Sequence, residues 1–117
     1  MSDGKPPPLT PAGFQVLLAL ARGNAHGYAV MQFVDELSGG EIQLGPGTLY
    51  RTLARLVADG LVREVSADAN EEPHDSRRRY YQLTPLGNRA AQREAEQLAR
   101  LVDAADGAGL LPKRRSA

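Results

Sequence analysis

Apolar residues recur at spacings of three and four in four stretches of the chain, and two short strand-like runs stand between the third stretch and the fourth. The first stretch opens at Leu9, Thr10 and Pro11, where threonine can cap a helix and proline can occupy its first position. Phe14, Leu17, Leu18 and Ala21 form its expected buried side, and Gly23 with Asn24 stops it. A turn at Ala25, His26 and Gly27 leads to a second helix over residues 28–37, with Val30, Phe33, Val34 and Leu37 on one face and Ser38, Gly39 and Gly40 closing it. Ile42 and Leu44 alternate briefly, as a small strand would. The third helix is expected over residues 45–59. Leu49, Leu53, Leu56 and Val57 make its core stripe, Gly45 and Pro46 its start, and Gly60 its end.

Residues 61–66 then read as a strand and residues 79–83 as its partner, with a polar loop between them. Thr84 and Pro85 repeat the earlier start signal and launch a last helix to about Ala105, along which Leu86, Ala90, Leu98, Leu101, Val102 and Ala105 recur at three and four. Gly107 and Gly109 end it. The short link between the second and third helices, followed by two strands and a loop, predicts a mainly α fold with a small β-hairpin, a winged helix-turn-helix over residues 9–84. The helix over residues 85–106 carries an apolar stripe that a closed three-helix core does not need. It is expected to pair with a second copy of the chain through Leu98, Leu101, Val102 and Ala105, folding back on its own domain being the other way to cover it. Residues 1–8, with three consecutive prolines, read as a flexible leader, and residues 107–117 as a disordered tail.

The third helix has an unusual second face. Thr48, Arg51, Thr52 and Arg55 lie opposite the leucines, and nothing acidic interrupts them before Asp59. Guanidinium forks can bond a guanine edge or a phosphate, and threonine can offer a hydroxyl or a methyl to a base, so this face suits nucleic acid better than a mixed glutamate and lysine surface would. Two surface arginines alone would signify only solubility. The helix-turn-helix and wing around them give them their meaning.

Composition narrows the field further. At 117 residues and 42% apolar content the chain can build one small core, with little left for a deep substrate cavity. Cysteine is absent, and the only histidines are His26 and His74, far apart in sequence, so no metal site or cofactor is expected. No thiol nucleophile, paired histidines or phosphate-cradling glycine loop supports an enzyme. No run approaches a membrane span, and the reading is a soluble, cytoplasmic protein without a membrane partner. Formal net charge is zero, which disfavours an indiscriminate polyanion binder, but the charge is segregated. Arg77, Arg78 and Arg79 form one basic run and Lys113, Arg114 and Arg115 another, while Asp68, Glu71, Glu72 and Asp75 gather in the loop between the strands.

Three segments, HGYAVMQFVDELSGG at residues 26–40, LGPGTLYRTLARLVADGLV at 44–62 and RRRYYQLTPLG at 77–87, in this order and spacing, resemble the PadR-like transcriptional regulators. The resemblance covers about residues 9–102. It implies a winged helix domain, a homodimer joined through the carboxyl-terminal helix, and repression by binding a double-stranded, inverted-repeat DNA operator. It also implies that Thr48, Tyr50, Arg51 and Arg55 lie on the recognition helix, that Tyr28 stands near the start of the preceding helix where phosphates approach, and that Arg77, Arg78 and Arg79 are the basic approach to the second wing strand. Tyr50 is open between packing and phosphate contact. Of the aromatic pair, Tyr81 is expected in the core with Leu83 and Tyr80 half exposed. Regulators of this kind take small apolar or aromatic inducers, but a chain without tryptophan and with few aromatics does not support a ring-stacking pocket. The acidic wing tip would be repelled by phosphates if it pointed inward. It leaves a second reading, a winged helix that binds another regulator instead of DNA.

Overall fold

The computed structural model describes residues 8–41, 43–66 and 79–112, ordered as α1 (Pro11–Ala21), β1 (Ala25–His26), α2 (Gly27–Leu37), α3 (Pro46–Ala58), β2 (Val62–Val65), β3 (Tyr80–Leu83) and α4 (Pro85–Gly107). The two Thr-Pro start signals act as expected. Thr10 Oγ1 accepts from the Gly13 amide at 2.9 Å, and Thr84 Oγ1 accepts from the Gly87 amide at 3.0 Å. In each case the hydroxyl satisfies an amide that the first helical turn leaves without a partner. Helix α3 starts differently. Gly45 caps it without a side-chain hydrogen bond, and Pro46 opens the first turn. Gly60, at φ +79°, lets the chain leave α3 toward β2 in a conformation that other residues resist.

The core is a contiguous cluster of Val16, Leu17, Leu20, Val30, Val34, Leu49, Leu53, Leu56, Leu61, Val62 and Tyr81, joined by Ala19, Ala90 and Ala91. Several expected positions differ. Helix α1 is buried at Val16, Leu17, Ala19 and Leu20, while Phe14 and Leu18 are half-buried and Ala21 is exposed. It packs against α2, α3, α4 and β3 together, so one narrow stripe does not describe its covered surface. Val57 is 39% exposed, because it stands about 80° around the helix from Leu49 and falls at the edge of the stripe. Leu37, the last residue of α2, lies past the stretch covered at Val30 and Val34 and is exposed.

The sheet has three strands in the order β1, β3, β2, all antiparallel, so the expected hairpin gains a third member. Ala25 pairs with Tyr81 and His26 with Tyr80, in the place where the sequence suggests only a turn. This added strand also corrects Tyr80. It is buried, on the opposite sheet face from Tyr81, with the His26 ring edge-on at 5.4 Å between centroids. Tyr81 lies in the core as expected, with Leu83 packed against it. Leu44 is not in a strand, and Ile42 lies outside the described residues.

Helix α4 runs one turn's fraction beyond Ala105, through Gly107, and Gly109 at φ +77° follows its Ala108 cap. Its first turns are committed to the domain through Gly87, Ala90 and Ala91. Thr84 is the joint. Its hydroxyl donates to the Gly60 carbonyl at 2.7 Å while accepting from Gly87, and its amide donates to the Leu61 carbonyl at 3.1 Å. The end of α3 and the start of α4 are thereby fastened to each other. The leader up to Pro7 and the tail from Lys113 lie outside the described residues.

Candidate nucleic-acid interface

Burial divides α3 cleanly. Leu49, Leu53 and Leu56 are 4% exposed or less, whereas Thr48, Arg51 and Arg55 stand in solvent and Thr52 is half-buried. The exposed groups are partly organised before any ligand arrives. Arg51 Nη2 donates to Thr48 Oγ1 at 3.4 Å, one helical turn back. Arg55 Nε lies 3.6 Å from Asp59 Oδ2 in an i,i+4 pair, so the first acid after the polar face holds its last arginine. With the Arg55 side chain 79% exposed, that pair is worth little.

The start of α2 meets the flank of α3 at Tyr50. His26 caps α2, its Nδ1 accepting from the Ala29 amide at 3.3 Å, and its ring stacks at 16° on Tyr28, with centroids 6.4 Å apart. Tyr28 is 58% exposed, and its hydroxyl lies 3.4 Å from Gln32 Nε2. Tyr50, on α3, is half in solvent, and its phenol lies against the backbone of Gly27. The family resemblance puts Tyr28 near the start of α2 and leaves Tyr50 open between packing and phosphate contact. Sequence reasoning missed the histidine cap, because histidine is not among the usual capping residues, and the ring seated on Gly27, which depends on how two helices meet.

At the wing, Arg79 is exposed, with Nη1 3.7 Å from Glu64 Oε2. Arg63 Nε donates to Gln82 Oε1 at 2.6 Å across the strands. Tyr81, opposite Glu64 in the ladder, has its phenol pKa pushed above the ordinary value by burial first, and then by the negative charge of Glu64 and by Tyr50 nearby, with Arg79 opposing. Glu64 and Arg63 were not singled out from sequence. Their strand position carries no sign of which charge they face. Arg77, Arg78 and the acidic tip lie outside the described residues.

Beyond the turns committed to the domain, the outer part of α4 presents Leu98, Leu101 and Val102 at 37%, 62% and 39% exposure, with Ala105 half-buried. Among the described residues these three aliphatic side chains, open to water on one helix, form a face without a cover. Among the described residues no group of three acidic or histidine side chains is placed to hold a metal ion, and no helix is long and apolar enough to cross a membrane.

The comparisons with known proteins agree with this architecture. The profile of the PadR-like family of transcriptional regulators matches residues 16–93. The chain is 40% identical over 91 residues to transcriptional regulator Rv3488 of Mycobacterium tuberculosis, covering 74% of this chain and 78% of that one. It is 43% identical over 86 residues to a 37.1 kDa protein in transposon TN4556 of Streptomyces fradiae, again with 74% of this chain, but it spans only 22% of that relative's length. Among solved structures, a PadR family transcription regulator from Clostridium difficile superposes with a TM-score of 0.68 at 18% identity, over 82% of this chain and 95% of the other. A transcriptional regulator from Clostridium thermocellum does so at 0.66 and 20% identity, over 82% and 87%. At such identities these two likenesses speak for the winged helix fold, while the profile and the Mycobacterium relative speak for kinship: the chain belongs to the PadR-like family of transcriptional regulators.

Proposed function

We propose that the chain is a cytoplasmic homodimer that binds double-stranded DNA at an inverted-repeat operator and represses transcription there. The observation that carries this reading is the division of α3, whose leucines are wholly committed to the core while Thr48, Arg51 and Arg55 stand free of it. In the major groove those three side chains contact base edges or nearby phosphates. Tyr28 approaches a phosphate at the start of α2, and Arg77, Arg78 and Arg79 add backbone contacts from the wing. Residues 9–84 act as the reading domain and residues 85–106 as the joining helix, with Leu98, Leu101, Val102 and Ala105 burying their open face against the same face of a second copy. Two-fold symmetry sets the two α3 helices one turn of DNA apart, about 34 Å.

The test is binding to genomic fragments, the chain's own upstream region among them, at two salt concentrations, for the wild type and for Arg51→Ala/Arg55→Ala. Specific binding that weakens with salt and disappears in the double variant supports the reading. A folded wild type without preference for any fragment at low salt overturns it and favours a winged helix that binds another regulator.

A further inference from the structure

Gly27 is buried, and the phenol of Tyr50 lies over it. A Cβ at Gly27 would stand 2.5 Å from Tyr50 Oη, 2.9 Å from Cζ and 3.1 Å from Cε1. The backbone itself makes no such demand, since the positive-φ glycines are Gly23, Gly39, Gly40, Gly60 and Gly109. A side chain here would therefore displace the Tyr50 phenol, the outer end of a half-exposed side chain. The ring meets main chain, which cannot swing aside as a side chain would, and it is near enough to Tyr81 to bear on that phenol's ionisation. One side chain on α3 thus touches the first turn of α2 and approaches the central strand of the wing.

We propose that Tyr50 is a positioning residue, its ring seated on Gly27 to set the rotation of the recognition helix relative to α2 and the wing. The proposal rests on the DNA-reading role given to α3 above. Tyr50 stands on the flank of the same helix, about 100° around from Arg51, so a turn of α3 about its axis that lifted the ring from Gly27 would also swing Thr48 and Arg51 off the contacts proposed for them. The leucine stripe alone tolerates small rotations, because aliphatic side chains repack among rotamers. The Tyr50 hydroxyl is the nearest atom, but Cζ and Cε1 lie against the same backbone, so the ring keeps the contact when the hydroxyl is removed.

The experiment compares operator affinity with affinity for an unrelated duplex of equal length, at fixed salt, alongside melting temperatures, for Gly27→Ala, Tyr50→Ala, Tyr50→Phe and Gly27→Ala/Tyr50→Ala. Gly27→Ala and Tyr50→Ala each lower the specificity ratio about tenfold, and the double variant matches Tyr50→Ala because the two changes share one contact. Non-specific affinity and its salt dependence stay at the wild-type level, since every arginine remains; mere loss of folding would move both. Tyr50→Phe keeps the ratio within about twofold of wild type. Since Tyr50 is half exposed, its two variants test the idea even if Gly27→Ala fails to fold. Equal losses in Tyr50→Phe and Tyr50→Ala would overturn the proposal, because the hydroxyl and not the ring then carries the effect. An unchanged ratio in Tyr50→Ala would overturn it too, leaving the ring a passive cover. A wild type with no preference for any fragment removes the DNA-reading role itself. That failure is told apart from failure of the contact by the melting temperatures, in which the Gly27→Ala penalty vanishes in the Tyr50→Ala background.

Discussion

Arg79 and Glu64 form an ion pair at the base of the wing, Nη1 to Oε2 3.7 Å, with Tyr81 facing Glu64 across the ladder. Glu64 therefore competes with any phosphate that Arg79 is to meet. Glu64→Gln should raise DNA affinity about two- to fivefold at low ionic strength, an advantage that narrows as salt screens the pair. Stability should change by less than about 0.5 kcal/mol, because both side chains are at least half exposed. Fluorescence anisotropy against salt, with a denaturant titration beside it, checks both halves. An affinity that does not rise removes Arg79 from the contacts.

Leu101 is the most exposed of the three aliphatic residues on the outer part of α4. In a dimer joined through this face, Leu101→Asp buries a charge in an apolar contact and should shift the chain from dimer to monomer in sedimentation. The helical content stays, since α4 is anchored by Gly87, Ala90 and Ala91 at its other end. Operator affinity falls with the dimer. A wild type that sediments as a monomer at micromolar concentration defeats the expectation outright.

Gly87 is held for space. A Cβ there would overlap the carbonyl oxygen of Leu61, and Leu83 Cδ1 blocks the same side. Gly87→Ala must push α4 off the end of α3 and strain the Thr84 cap, so it should cost more than about 2 kcal/mol in urea unfolding. A loss below about 0.5 kcal/mol would mean that the joint yields.

The Tyr81 phenol has its pKa raised in the folded chain, by burial above all. Folding then holds this proton more tightly than the unfolded chain does, at an ordinary value of about 10. The resulting stabilisation is complete below pH about 10 and is lost as pH climbs through the folded-state value. Tyr81→Phe cannot lose a proton, so its stability should fall less steeply than that of wild type on the alkaline side. Unfolding free energies from pH about 8 to 11 provide the comparison, and parallel slopes would contradict it.

How much of this was legible in the sequence depended on how local each cause is. Thr10, Thr84 and Gly60 act within a few residues, and the elements they punctuate start and stop where those residues say. The face of Thr48, Arg51 and Arg55 was equally legible, because a helix of known phase has only one side opposite its leucines. The strand at Ala25–His26 was not. Two residues have no period, and the pairing with Tyr80 and Tyr81 that makes them a strand comes from far along the chain. Tyr80 was misplaced for the same reason. Its cover is the His26 ring, which arrives with that unseen strand. Tyr50 was left open between two roles because the decisive neighbour, Gly27, belongs to another helix.

Thr84 fastens the end of α3 to the beginning of α4 with one hydroxyl shared between Gly60 and Gly87. In the proposed dimer that hydroxyl couples the reading domain directly to the helix that joins it to a second copy. In such a dimer, the distance between the two reading domains is a property of how the joining helices cross. Substitutions along the outer half of α4, remote from every base, could then retune which half-site spacing is accepted while the letters read within each half-site stay the same.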